Sequence, residues 1–231
     1  MRRLISILIG LQLITVWISP QRIHANPQDM ERLSRHAFPE PVILIDAGHG
    51  GVDGGTSFRE ILEKDINLDI SRKLYLLLKS KGYAAALNRS ADYALSDDNQ
   101  WLNSRSRHRR DLAQRKGLSD ELSTSIVVSI HLNWAHSRTQ RGPLVLHQNE
   151  GRSAVLAWSI QNELNTVFGT RSSPALGRPF YLLNHIQSPA VIVETGFLSN
   201  AEDRAMLTRP TEQMEVAKAI VAGIMAYFTE L

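Results

Sequence analysis

The chain has 231 residues, of which 43% are hydrophobic and 21% are charged, and its formal net charge is +3. This composition is ordinary for a globular protein and excludes an intrinsically disordered chain. The mild positive charge fits residence beside an anionic polymer but does not indicate binding to nucleic acid, which we do not expect as a partner. The chain contains no cysteine, which excludes disulfides, a cysteine-ligated zinc site and a thiol nucleophile.

The first 25 residues have the pattern of a segment that directs export. Two arginines precede an uncharged apolar stretch at residues 4–19, and the small residue Ala25 ends the segment. This pattern predicts a signal peptide that is either cleaved or kept as an N-terminal anchor. Residues 26–40 are polar and contain prolines, which predicts a linker before a single domain at 41–231. We therefore expect an exported protein that contacts the membrane only through its N-terminal segment.

Short β-branched runs alternate with amphipathic segments in the rest of the chain. The predicted strands are residues 42–46, 83–87, 126–130, 143–147, 180–183 and 190–194. The predicted helices are residues 66–80, 105–116, 151–168 and 212–229, and Thr211 is the expected cap of the last one. Strands that alternate with helices predict an α/β fold, in which a mostly parallel twisted sheet is covered by helices on both faces.

The predicted helix at 105–116 is rich in basic residues, interrupted by Asp111. Two interpretations of this segment stay open at this point. The arginines and the lysine form either a solvated helix face or a contact surface for a polyanion.

Three of the predicted strands end on residues that bind metals or transfer protons. Strand 42–46 runs through Asp46 into a glycine-rich loop that carries His49, strand 126–130 runs into His131, and the last strand ends at Glu194. In an open α/β sheet, ligands bind beyond the carboxyl ends of the strands, so we expect an active site at that edge. Two imidazoles and one carboxylate leave a fourth position open for water, which is typical of catalytic zinc.

Several assignments stay open from the residues alone. Glu60 and Glu63 are equally plausible as the carboxylate ligand, because both lie near a predicted turn. Asp46 either orients a ligand imidazole or caps the loop. The glycine-rich stretch 48–55 resembles a phosphate-binding loop, but no Gly-Lys-Ser/Thr follows it and Asp53 stands where a dinucleotide-binding motif needs glycine.

Five stretches of the sequence together resemble one known family. They are IDAGHGGVDGG at 45–55, LEKDINLDI at 62–70, NRSAD at 88–92, VVSIHLN at 127–133 and PAVIVETGFLSNAED at 189–203. In this order they are similar to the zinc-dependent N-acetylmuramoyl-L-alanine amidases. Three positions depart from the family pattern, Ala47, Asn88 and Thr195, and none of them removes a ligand.

The resemblance implies a complete catalytic site. It assigns Zn²⁺ to His49, Glu63 and His131, and so favours Glu63 over Glu60. It also assigns the catalytic acid and base role to Glu194. The implied reaction is hydrolysis, by a zinc-activated water, of the amide between the lactyl group of N-acetylmuramic acid and L-alanine of the stem peptide. Peptidoglycan is then the expected partner.

Finer features resemble the sporulation cortex amidase within this family. The chain is compact, lacks a wall-targeting repeat, and keeps Gly55 close to Glu63. This likeness implies action in the cell wall, the periplasm or the intermembrane space of a forming spore, with an activator protein as a further expected partner. An alternative is a non-catalytic wall-binding or activator module on the same fold, but the four intact site residues argue against it.

Overall fold

The computed structural model describes residues 41–230. The predicted signal segment 1–25 and the linker 26–40 lie outside the described residues, so both stay predictions. Within 41–230, no helix is both long enough and apolar enough to cross a membrane.

The described part of the chain alternates strands and helices. The strands are β1 (Val42–Ala47), β2 (Ser57–Phe58), β3 (Ile61–Leu62), β4 (Ala85–Leu87), β5 (Thr124–Asn133), β6 (Leu144–His147), β7 (Ala175–Leu176) and β8 (Ala190–Phe197). The helices are α1 (Glu63–Ser80), α2 (Arg107–Glu121), α3 (Gly151–Phe168), α4 (Tyr181–His185), α5 (Ala201–Leu207) and α6 (Pro210–Glu230), and Leu95–Asp97 forms a 3₁₀ turn.

Six strands form one sheet in the order β4-β1-β5-β8-β6-β7. The first four are mutually parallel, β6 pairs antiparallel with β8, and β7 is parallel to β6. The small hairpin β2–β3 lies apart from this sheet and leads directly into α1. The predicted α/β fold with a mostly parallel sheet is confirmed.

Alternate side chains of the strands serve two separate cores. Ile43 and Ile45 of β1 pack with residues of α1, α3 and α6, whereas Leu44 packs with residues of α2 and α4. Helices therefore cover both faces of the sheet, as predicted. Side chains two residues apart in a strand point to the same face of the sheet. His131 therefore shares a face with Val127, and Glu194 shares it with Ile192, and this is the face that α2 and α4 cover.

Two predictions from the sequence were wrong. The predicted strand at 180–183 is the short helix α4, in which Leu182 and Leu183 are both buried against the sheet. A run of four apolar residues cannot separate a strand from a buried helix by its period. Thr211 is not the cap of the last helix, because α6 already begins at Pro210, and proline is favoured at a first helical position.

Candidate metal centre and catalytic pocket

The glycine-rich loop after β1 brings His49 close to the end of β5. His49 has a φ of 61°, in the left-handed region, and glycines flank it on both sides. A Cβ at Gly48 would lie 2.3 Å from Cε1 of His131, so only glycine allows this approach. The His49 and His131 rings meet edge to face with centroids 5.0 Å apart.

Glu63 opens α1 and reaches both imidazoles. Its Oε1 lies 3.2 Å from His49 Nε2 and 3.1 Å from His131 Nδ1. The same oxygen accepts a hydrogen bond from the Leu132 amide at 3.0 Å, and Oε2 accepts one from the Thr56 amide at 2.8 Å. The β2–β3 hairpin produces this arrangement, because it turns the chain so that the start of α1 faces the strand ends.

The ligand atoms of His49, Glu63 and His131 all lie within 4.8 Å of one another, so this group could hold a metal ion. Two imidazoles and one carboxylate fit zinc and leave a position free for water. A Cβ at Gly55 would lie 2.5 Å from Glu63 Oε2, so the loop is closed tightly around the carboxylate. Glu60, the alternative from the sequence, is exposed and takes no part in the group.

The electrostatics of this group favour an ionised carboxylate. Burial raises the pKa of Glu63, but hydrogen bonds and charge interactions with His131 and His49 outweigh burial and lower that pKa below its ordinary value. Burial lowers the pKa of His49, and hydrogen bonds to Asp53 and Glu63 more than offset it and raise the pKa to about 9. The two imidazoles and the carboxylate thus attract one another across the space that a cation would fill.

Asp53 contacts the ring nitrogen of His49 that faces away from Glu63. Its Oδ1 lies 3.2 Å from His49 Nδ1, which leaves Nε2 of the same ring pointing at Glu63. Such carboxylate–imidazole pairs fix the orientation of ligand histidines. The sequence prediction named Asp46 for this role and overlooked Asp53, although a carboxylate four residues after a loop histidine was a usable indication.

Asp46 neither orients an imidazole nor caps the loop. Its carboxylate accepts hydrogen bonds from Arg115 at 2.6 Å, from Asn88 and from Ser129, and all four side chains are buried. Burial raises the pKa of Asp46, but the Arg115 guanidinium, the Ser129 hydrogen bond and the His131 charge together outweigh burial and keep that pKa below its ordinary value. Arg115 also contacts Asp111, so this residue fits neither sequence interpretation of the basic helix.

Arg89 ties together the two segments that carry His49 and Glu63. It is 1% exposed, and its Nη2 donates to the carbonyl of Gly48 at 3.1 Å and to that of Lys64 at 2.8 Å. One guanidinium group thus sets the distance between the residue before His49 and the residue after Glu63. Arg89 lies in the NRSAD stretch at 88–92, but the sequence pattern indicated no role for this arginine.

Glu194 lies beside His131 in the sheet, since the two are register partners of β8 and β5. It is 8% exposed, and its Oε2 has no hydrogen-bond partner within the described residues. Burial raises the pKa of Glu194; the His131 charge lowers that pKa, and the Glu63 charge raises it further. Glu194 is therefore a buried carboxyl group that has one oxygen without a partner among the described residues.

These side chains line one cavity of about 410 Å³ at the carboxyl edge of the parallel strands. Its polar wall consists of His49, Glu63, His131 and Glu194. The opposite wall is largely apolar and comes from α2, the loop before α4 and α4 itself; it includes Leu112, Pro179, Phe180, Tyr181 and Leu182. The cavity pairs a candidate metal centre with a surface suited to an organic substrate.

The fold and this site define an α/β protein in which three side chains that could hold a metal ion lie beside a buried carboxyl group. The model of the N-acetylmuramoyl-L-alanine amidase family (Amidase_3) matches residues 43–226, and the chain belongs to this family. It is accordingly a peptidoglycan amidase, a hydrolase.

Named relatives agree with this membership. The chain is 33% identical over 192 residues to the germination-specific N-acetylmuramoyl-L-alanine amidase of Bacillus subtilis. The aligned region covers 82% of this chain and 80% of that protein. Among solved structures, the CwlD amidase of Clostridioides difficile in complex with the GerS lipoprotein has a TM-score of 0.77 at 32% identity and covers 83% of this chain and 100% of that one. The catalytic domain of CwlV from Bacillus (Paenibacillus) polymyxa has a TM-score of 0.70 at 30% identity and covers 82% and 99%.

Proposed function

We propose that His49, Glu63 and His131 hold one zinc ion, beside which the chain hydrolyses the amide between the lactyl group of N-acetylmuramic acid and L-alanine. The donor set supports this, because two imidazoles and one carboxylate are the ligands of many catalytic zinc sites. A bound zinc ion would polarise the amide carbonyl and lower the pKa of the attacking water.

The observation that carries the catalytic proposal is the free, buried oxygen of Glu194 in the same cavity. In this proposal the Glu194 carboxylate takes a proton from the water as its oxygen bonds to the amide carbon. The protonated Glu194 then gives that proton to the alanine nitrogen as the carbon–nitrogen bond breaks. A carboxyl group with a raised pKa suits both steps, because it holds and releases a proton nearer to neutral pH.

Other residues of the chain prepare this geometry. Asp53 holds His49 Nδ1, so that Nε2 is the atom presented to a metal. The Leu132 and Thr56 amides hold the Glu63 carboxylate from two directions. These bonds keep the three donors in place before a metal arrives, which reduces the ordering that metal binding requires.

The reaction is tested with the purified protein and purified peptidoglycan. We expect new free amino groups that belong only to alanine, stem peptides of the matching mass, and no new reducing sugar ends. Removal of zinc with a chelator should stop the release, and added zinc should restore it. New amino termini on any other residue would contradict the proposed bond, and full activity in the chelated protein would contradict the metal.

We also propose that residues 1–25 direct export and that the substrate is spore cortex peptidoglycan. The apolar stretch at 4–19 and the likeness to a germination-specific amidase support these proposals. A reporter fused after residue 40 should be active only outside the cytoplasm. A strain without this protein should lack muramic-lactam in its spores, whereas chains of unseparated cells would indicate a role in division instead.

A partner protein forms the last part of the proposal. The similar Clostridioides difficile amidase was solved in complex with a lipoprotein, which supports an activating partner for this chain as well. Cross-linking in intact sporulating cells should recover one stoichiometric partner of the full chain. Full zinc content and full turnover of the isolated protein would argue that it needs no activator.

A further inference from the structure

A second cavity, of about 380 Å³, lies just beyond the ends of β5 and β8. Most of its lining is charged or polar, and the side chains that matter here are Arg138, Arg141, Arg204, Glu202, Ser199 and Asn200. We call it the arginine pocket. Three guanidinium groups are accompanied by two carboxylates, those of Glu202 and Asp203, so the pocket has an excess of positive charge.

The three arginines differ in how many hydrogen bonds and ion pairs their guanidinium groups make with the rest of the described chain. Arg141 pairs with Glu202 at 3.2 Å and with Asp203 at 3.8 Å, and it donates to the Phe168 carbonyl. Arg204 donates to two backbone carbonyls and lies over the Phe58 ring, 3.7 Å from its centroid. Arg138 makes no side-chain hydrogen bond or ion pair with any of the described residues. Its guanidinium group is free to bind an anion.

The pocket and the catalytic cavity both lie where β5 and β8 end. Asn133 and Phe197 pair at the ends of β5 and β8, two residues after His131 and three after Glu194. At about 3.3 Å per residue, these strand ends are about 7–10 Å from the catalytic pair. The lining residues come from the segments that follow β5 and β8, so the arginine pocket lies at the same edge of the sheet as the catalytic cavity.

We propose that the arginine pocket binds the carboxylates of the stem peptide and that Arg138 supplies the decisive charge. This inference rests on the proposed function, because it concerns the peptide side of the bond that is cut. Three residues of extended chain span about 10 Å, which matches the distance along the strands from the catalytic pair to the strand ends beside the pocket. Guanidinium groups bind carboxylates with paired, charge-assisted hydrogen bonds, and the Ser199 hydroxyl adds a donor beside them.

The experiment measures binding of a free acidic peptide, so it does not depend on turnover. The full chain is titrated with the tripeptide L-Ala-γ-D-Glu-L-Lys and with its twin in which every carboxylate is a carboxamide. The variants are Arg138→Ala, Arg138→Lys and the control Arg152→Ala. Arg152 is exposed at the start of α3, which follows the antiparallel strand β6 and so lies at the opposite edge of the sheet.

We expect Arg138→Ala to weaken binding of the acidic peptide about three- to tenfold and to leave the carboxamide twin unchanged. Arg138→Lys should restore part of the loss, and Arg152→Ala should change neither affinity. An equal loss on both peptides, or no loss on either, would overturn the inference. Failure of the wild-type protein to release alanine termini from peptidoglycan would instead overturn the proposed function, while the peptide titration would still decide the role of Arg138.

Discussion

Two buried glutamates, Glu63 and Glu194, line the same cavity but differ in their hydrogen-bond partners and in the direction of their pKa shifts. Glu63 is 3% exposed and Glu194 is 8% exposed, so burial alone does not separate them. Both oxygens of Glu63 accept backbone hydrogen bonds, whereas Oε2 of Glu194 has no partner in the described part of the chain. The pKa of Glu63 is lowered and that of Glu194 is raised. In the proposed function, their partners rather than their depth distinguish the carboxyl group suited to a cation from the one suited to proton transfer.

The largest effect is expected from Glu63→Gln. The substitution removes the negative charge between the two imidazoles, so zinc affinity should fall by at least about a hundredfold, and turnover should fall with it. Competition with a chromogenic chelator measures the affinity. Glu60→Gln is the matched control, because Glu60 is exposed in the hairpin that leads into Glu63, and its zinc affinity should stay within about twofold of wild type. A larger loss in the control than in Glu63→Gln would reverse the assignment.

Glu194→Gln should lower turnover without lowering zinc content, which is the opposite pattern to that of a metal ligand. Turnover on purified peptidoglycan should fall by about 10²–10⁴-fold, because glutamine keeps the size of the side chain but cannot carry the proton. Zinc content should remain near that of wild type. Turnover close to normal would mean that Glu194 does not transfer the proton.

Asp46 offers a third buried carboxylate whose role is structural. Asp46→Asn should lower the free energy of unfolding by about 3 kcal/mol, because it leaves the buried charge of Arg115 without one of its two partners. The folded pKa of Asp46 is depressed, so its stabilisation is present above its ordinary pKa of about 4 and is lost as the pH falls towards the folded value. Denaturant unfolding of the zinc-free protein at pH 7 and pH 3 should therefore show a smaller pH effect in the variant. Equal pH effects would contradict this role.

The smallest effect is expected from Asp53→Asn. It weakens the contact that orients His49, so zinc affinity should fall about 10–100-fold, less than in Glu63→Gln. Asp97→Asn, an exposed carboxylate in the 3₁₀ turn, serves as the control in the same chelator competition. Unchanged affinity in Asp53→Asn would show that the loop backbone alone orients the imidazole.

The sequence predicted those parts of the site that depend on strand endings. His131 and Glu194 follow buried β-branched runs, and the parallel sheet brings such endings to one edge. The roles of Arg89 and Arg115 depend on contacts across long stretches of sequence, and no periodic pattern records those contacts. Arg115 shows this best, because a basic helix segment suggests a solvated face until a partner such as Asp46, from a distant strand, is known.

The most direct test of the split between the two glutamates is a crystal structure of the zinc-loaded protein with anomalous data at the zinc edge. We expect one peak about 2.0–2.2 Å from one atom each of His49, Glu63 and His131, with the Glu194 carboxyl group outside bonding distance of the metal. A zinc ion bonded to Glu194, or a peak that leaves out Glu63, would contradict the account.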